Sequence, residues 1–348
     1  MTPQVATPAL HDQATLPTTA TWLPPPLDGA CKLQLHDLMV KGRATEEMLI
    51  RMMRTGHGYF WIGGPGEEAY GVALGMLVHK GHGPAYDYLH LHYRSSALVL
   101  AMGGEPIDVL RQMRSTVTDP YSKGRNFVNH FAINRWNVVP VTPTIETQYA
   151  VAPGTALMQR RHGGVGISIV TGGDAGSSEG DFYTAMNWST RPGNELPVLM
   201  LIAQNHWGIS TPAATTQNTP LLHQRADGFR IRNACVDGND PIASWHALVD
   251  AMDYVRHERQ PFVLQVNVSR LHGHSSSSGA ARSDEPCCLS LYEKRLVHEG
   301  LCDEATIKAV WDKWQTHLAE ALKVVVTEPM PDKSHVLQHV WHRGPSGN

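Results

Sequence analysis

The sequence predicts an α/β fold, with a mostly parallel sheet and helices on both faces, and three features of residues 166–211 carry that prediction. A short apolar run, Ile167 to Val170, has the length of a buried strand and breaks at Gly172 and Gly173, where a chain can turn sharply. Asp174 follows, then Ser177, Ser178 and Glu179, which suit a helix start; the helix is expected to carry Phe182, Ala185, Met186 and Trp188 on one side until Pro192 and Gly193 stop it. A second apolar run, Val198 to Ala203, ends at Gln204-Asn205. Strand, helix and strand in this order make a βαβ unit, which places the carboxyl ends of both strands at one sheet edge, where ligands bind in such folds.

The other elements follow in order. Residues 1–33, holding Leu23-Pro-Pro-Pro-Leu27, read as an extended arm, 34–325 as one folded domain and 326–348 as a tail. Leu35, Leu38, Met39, Met48, Leu49, Met52 and Met53 recur at helical spacing over 34–55 and read as a core stripe. Tyr59 to Glu68 is a Gly-rich loop, neither GxGxxG nor a Walker loop, that opens a helix through Val72, Leu74 and Leu77, with Glu67 and Glu68 as helix-start residues. Tyr86 to Arg94 is dense in polar aromatics; Arg94 offers a planar fork for a phosphate and Tyr93 a hydroxyl. A small-residue helix is expected over Ala150 to Met158, and a polar loop over Thr211 to Arg225. Ala234 to Asp240 reads as a turn before a helix through Trp245, Leu248, Met252 and Val255, and Pro261 to Val268 as a strand. Charged helices with Leu296, Val310, Trp311, Trp314 and Leu318 are expected over 291–323.

Composition narrows the function. An apolar fraction of 42% over 348 residues supports a substantial core, and a net charge of −3 gives no general attraction to nucleic acid. Five cysteines without a CxxC pair, and an N-terminus without a basic-then-apolar pattern, lead us to expect a cytoplasmic protein. The apolar runs are too short to span a bilayer.

Asp174 and Asn205 stand 31 positions apart, at the ends of adjacent predicted strands. A carboxylate and an amide oxygen are hard ligands suited to Mg²⁺ or Ca²⁺, and Mg²⁺ commonly shares its shell with phosphate oxygens. A metal-bound diphosphate is therefore the expected ligand, with helix-start amides near Ser178 at hand.

The run Gly173-Asp174-Ala175-Gly176, the thirty-odd residues after it and the closing Asn205 resemble the thiamine-diphosphate motif. GDAGSSEGDFYTAMN and QNHWGISTP are similar to the alpha subunit of the decarboxylating component of 2-oxo acid dehydrogenase complexes, a resemblance that runs from about Asp37 to Leu322. It implies the thiamine-diphosphate-binding fold, thiamine diphosphate and Mg²⁺ as cofactors, and oxidative decarboxylation of a 2-oxo acid with acyl transfer to a lipoyl group. It implies that Asp174, Asn205 and the Trp207 carbonyl hold the metal, although the family's Asn-Asn pair appears as Gln204-Asn205. Tyr93 and Arg94 match a pair that holds the diphosphate, and Ile145 the stretch whose backbone meets the aminopyrimidine ring. His130, after Ser122-Lys-Gly-Arg125, matches a substrate-facing histidine, and His274, in Arg270-Leu-His-Gly-His274-Ser275, the histidine that reaches the reacting carbon. Ser275 matches a serine phosphorylated in eukaryotic relatives, but the acidic part of that loop is replaced by Ser-Ser-Gly-Ala-Ala-Arg282. The partners implied are a beta subunit, in an α₂β₂ heterotetramer that contributes the activating glutamate, and the lipoyl acyltransferase of the complex. Gly-Pro-Gly-Glu-Glu-Ala69 places a branched-chain substrate ahead of pyruvate or acetoin. Two other readings stand beside this one: a zinc hydrolase using the pairs His90-x-His92 and His272-x-His274, and an inactive scaffold.

Overall fold

The structure, a computed structural model, describes residues 22–279 and 281–338; residues 1–21 of the expected arm and 339–348 of the expected tail lie outside the described residues. In chain order the helices and strands are α1 Gly29–Arg54, α2 Glu68–Leu77, β1 Tyr88–His90, α3 Ser96–Ala101, α4 Pro106–Arg114, α5 Thr147–Arg161, β2 Ser168–Gly173, α6 Gly180–Ser189, β3 Val198–Gln204, β4 Trp207–Gly208, β5 Thr211–Pro212, β6 Arg232–Asp237, α7 Pro241–Glu258, β7 Phe262–Asn267, α8 Cys288–His298 and α9 Glu304–Val325.

Five strands form one sheet in the order β1-β2-β3-β7-β6, and every neighbouring pair is parallel. Strands β2 and β3 are buried along their whole length, which is why they read as continuous apolar runs rather than alternating ones. Their side chains divide by strand period. Ile169, Leu199, Leu201, Leu264 and Val266 join a core with α1, α2, α7 and α8, whereas Val170, Met200, Ile202 and Val263 join a second core with α5 and α6. The sheet thus carries helices on both faces, as the sequence predicts.

Capping residues set several helix starts. Asp28 accepts from the Cys31 N–H at the start of α1, and Asp240 accepts from Ile242 and Ala243 ahead of Pro241 in α7. Because of Asp28, α1 begins at Gly29 rather than near residue 34, and Trp22, buried, donates from Nε1 to the Leu77 carbonyl at 2.7 Å.

Two local expectations need correction. Residues 234–237, read as a turn, belong to β6, an edge strand whose half-exposed residues pair with β7 and so lack an apolar signal. On α6 the buried residues are Phe182, Ala185, Met186 and Ser189, spaced i, i+3, i+4 and i+7. Trp188 falls off that stripe, is 46% exposed, and lies under the Arg191 guanidinium, whose carbon is 4.1 Å from the ring centroid.

Candidate active site

The carboxyl ends of β2 and β3 build the site. Gly173 pairs with Ala203, so Asp174 and Asn205 leave the sheet from neighbouring strands, and the Asp174 N–H donates to the Ala203 carbonyl at 3.1 Å. Both side chains are buried. Asp174 Oδ1 accepts from the Ala175 N–H at 2.9 Å, while Oδ2 is buried without a hydrogen-bond partner among the described residues. Asn205 Oδ1 accepts from the Trp207 N–H at 3.1 Å, which leaves a second lone pair, and Nδ2 is a buried donor without a partner.

A cavity of about 420 Å³ opens above this edge. Tyr93, Arg94, Ile145, Gly173, Asp174, Ala175, Gly176, Trp207 and His274 line it, so nine of the residues singled out from the sequence converge on one space, together with His92, Glu146 and Glu179. Asn205 lies at the strand tip outside the lining. His130 stands behind Tyr93, their rings stacked at 6.2 Å.

Arg94 is a buried cation whose Nε has no hydrogen-bond partner; its Nη2 donates to His274 Nδ1 at 3.1 Å. A guanidinium can only donate, so Nδ1 of His274 is an acceptor and its proton sits on Nε2. Burial, then the charges of Arg94 and Arg270, push the His274 imidazole down to about 4, which keeps it neutral at pH 7. His130 has the opposite tautomer: Nδ1 donates to the Val128 carbonyl at 3.0 Å, leaving Nε2 as acceptor, and burial lowers its pKa.

The loop that carries His274 is pinned. Ser276 N–H donates to the Trp61 carbonyl at 2.8 Å, the Trp61 N–H donates to Ser276 Oγ at 2.7 Å, and Ser275 and Ser278 form a capping box. Arg270 donates to the Ile209 carbonyl at 2.6 Å and stacks over Trp207, tying this loop to the segment after β3.

Glu146 escaped the sequence reading. It is buried, Oε1 accepts from the Gly173 N–H at 3.2 Å and Oε2 from Gln148 Nε2 at 2.9 Å, and His92 Nε2 lies 3.7 Å from Oε1. A Cβ at Gly172 or Gly176 would collide with this side chain, which explains the glycines on both sides of Asp174. Burial pushes its carboxyl up to about 8. The sequence signal was a carboxylate beside Ile145, in a stretch already singled out for its backbone.

The HxH pairs do not form a zinc site. His90 faces α5, with Nε2 2.8 Å from Thr155 Oγ1, whereas His92 and His274 face the cavity. Among the described residues no group of three or more His, Cys, Asp or Glu could hold a metal ion. A site made of one carboxylate, one amide oxygen and one carbonyl is a different kind, and the polar atoms here suit it. The partnerless Asp174 oxygen calls for a cation, and the partnerless donors on Asn205 and Arg94 call for an anion. A divalent ion carrying a diphosphate supplies both.

Residues 36–334 match the family model described as the dehydrogenase E1 component. The 2-oxoisovalerate dehydrogenase subunit alpha of Bacillus subtilis (strain 168) is 25% identical over 320 residues, covering 89% of this chain and 94% of that protein. The mitochondrial 2-oxoisovalerate dehydrogenase subunit alpha 2 of Arabidopsis thaliana is 25% identical over 326 residues (90% of this chain, 67% of that protein), and the human mitochondrial subunit alpha 26% over 330 (90% and 71%).

Proposed function

The chain belongs to the dehydrogenase E1 component family, and from that premise we propose that it is the alpha subunit of a branched-chain 2-oxo acid dehydrogenase, which decarboxylates its substrate oxidatively and passes the acyl group to a lipoyl acceptor. The observation that carries the proposal is the convergence of Asp174, Arg94 and His274 on one cavity at the β2–β3 tips, with partnerless buried polar atoms of both kinds.

Asp174, the Asn205 oxygen and the Trp207 carbonyl would hold Mg²⁺, and Tyr93, Arg94 and the Gly173–Gly176 turn the diphosphate. When bound, thiamine diphosphate supplies the nucleophilic carbon and the electron sink for decarboxylation. The protein supplies the rest. Arg94 holds His274 in one tautomer, with its Nε2 proton available to a developing oxyanion. With Nδ1 of His130 donating to a carbonyl, its Nε2 is the acceptor nitrogen, so the two imidazoles would give and take a proton respectively. Ile145 and Ile209, 44% and 55% exposed, form an apolar rim to the cavity that suits a covering beta subunit in an α₂β₂ assembly. No described helix is long and apolar enough to cross a membrane. The five free cysteines accord with a reducing compartment, which we read as the cytoplasm.

The test is Asp174→Ala. Titration calorimetry with thiamine diphosphate and Mg²⁺ should show affinity falling about 100-fold or more, close to 3 kcal/mol, while far-UV circular dichroism stays that of the parent. Unchanged affinity would refute the assignment. Decarboxylation assays over branched-chain, pyruvate and longer 2-oxo acids, on the chain co-expressed with a beta-type subunit, then rank the substrates.

A further inference from the structure

Away from the cavity, the start of α8 carries two adjacent cysteines on one buried ion pair. Arg43, in α1, grips Glu68 with both arms of its fork, Nε to Oε1 at 2.6 Å and Nη2 to Oε2 at 2.7 Å. The remaining nitrogen, Nη1, donates to Cys287 Sγ at 3.2 Å. Cys288 donates from Sγ to Glu68 Oε2 at 3.3 Å. The two thiols therefore sit on opposite partners of one ion pair: Cys287 beside the cation and Cys288 beside the anion.

We propose that Cys287 is a covalent-modification site, a nucleophilic thiol held against the Arg43 guanidinium that peroxides and soft electrophiles reach ahead of the other four cysteines. Three features of the geometry support this. Cys287 is only half-buried, so a small electrophile can approach, whereas Cys288 and Cys31 are buried. Its sulfur contacts a permanent positive charge. It is the N-cap residue of α8, an 11-residue helix, and therefore lies at the positive end of the helix dipole. The surroundings of the five thiols point the same way. Burial alone would raise Cys287, but the charge and hydrogen bond of Arg43, helped by Ser290, hold it below the usual thiol range. Burial raises Cys31, Cys235, Cys288 and Cys302.

With hydrogen peroxide the sulfur electron pair attacks one oxygen. The S–O bond forms and the O–O bond breaks; the departing hydroxide takes the proton that the thiol gave up and leaves as water. The sulfur is oxidised by two electrons and the peroxide reduced by two. The product places an oxygen at the Arg43 fork, where it competes with Glu68. Glu68 Oε2 also accepts from the Gly66 N–H at 2.9 Å, and Gly64 of the same loop packs against the backbone and Cβ of Arg94. The modified sulfur is therefore one ion pair and one loop away from the cavity wall.

The experiment uses the full chain in the assembly in which it purifies. A substoichiometric pulse of iodoacetamide at pH 7, followed by peptide mass mapping, should place most of the label on Cys287, at a rate at least several-fold that of the exposed Cys235. The pH at which labelling reaches half its maximal rate should be lower for Cys287 than for Cys235. Peroxide followed by dimedone should give a sulfenic-acid adduct on the same peptide, and Cys287→Ser should abolish it. Faster labelling of Cys235, reaction of Cys287 only after denaturation, or a dimedone adduct that survives Cys287→Ser would each overturn the proposal.

Discussion

Glu67 and Glu68 are neighbours at the start of α2, both buried, and their surroundings give them opposite characters. Glu68 meets the bidentate Arg43 fork and the Gly66 N–H, and these outweigh burial and hold its carboxyl below the usual range. Among the described residues Glu67 has only the Tyr70 hydroxyl at 3.0 Å and Arg94 Nε at 3.8 Å, beyond hydrogen-bonding reach, and burial pushes it up to about 7. One carboxylate is fully paired; the other borrows a cation that also faces the cavity. Arg94 remains available to a ligand because Glu67 does not engage it closely. A completed pair marks a strut, whereas an incomplete one marks a place prepared for something else to bind.

The largest effect expected from this contrast is on stability. Arg43→Met leaves Glu68 buried and uncompensated and should cost about 3–5 kcal/mol, read as a lower urea midpoint at pH 7. Glu67→Gln keeps a hydrogen-bond acceptor for the Tyr70 hydroxyl and removes a carboxyl already raised to about 7, so it should cost less than about 1 kcal/mol in the same titration. Equal losses would erase the distinction. The two carboxylates also differ in pH dependence. A depressed carboxyl such as Glu68 contributes stability above its unfolded pKa and loses it as pH falls through the folded value. A raised one such as Glu67 does the reverse, and its contribution is lost as pH rises toward 7.

A smaller effect is expected at His274, and it is kinetic. His274 is held by Arg94 and lines the cavity, but it has no part in the metal site we propose. In the assembled enzyme, His274→Ala should slow acyl transfer to a lipoyl acceptor about 100-fold, near 2.7 kcal/mol, with cofactor affinity unchanged by calorimetry. Full turnover in the variant would remove His274 from the reaction; lost cofactor affinity would make it a binding residue instead.

Much of this was legible in the sequence because the signals were local. The βαβ unit announced itself through two apolar runs, a glycine break and residues of fixed oxygen chemistry at the strand ends. Nine of the residues singled out for the site line one cavity for the same reason: strand tips and the loops after them are neighbours whenever the strands are parallel. What escaped depended on long-range contacts. The edge strand β6 has no apolar pattern because one of its sides is solvent, and only its pairing with β7 defines it. Trp188 is expected on one side of α6 with Phe182, Ala185 and Met186, although its position around the helix turns it outward. Glu146 was passed over because its environment comes from Gly173, Gln148 and His92, which the fold assembles from three segments. The Arg43–Glu68 pair likewise joins residues 25 positions apart on two helices, and nothing in either helix alone foretells it.

The finest test of the contrast lies at Glu146, an acid of the Glu67 kind that lines the cavity. Its folded carboxyl is pushed up to about 8, against an ordinary value of 4.5, so between those limits the folded chain binds a proton that the unfolded chain has released. Stability from this group is therefore complete below about pH 4.5 and is lost as pH rises through about 8. Glu146→Gln fixes the neutral form. It also sets an amide NH₂ against the Gln148 donor, an offset that is the same at every pH. The slope is the diagnostic quantity. Urea midpoints taken from pH 5 to pH 8 should fall less steeply in the variant than in the parent, by more than about 1 kcal/mol across the range. Parallel slopes would mean that Glu146 ionises freely in the folded chain, and that its closeness to the Gly173–Gly176 turn brings a negative charge to the place we propose for a diphosphate.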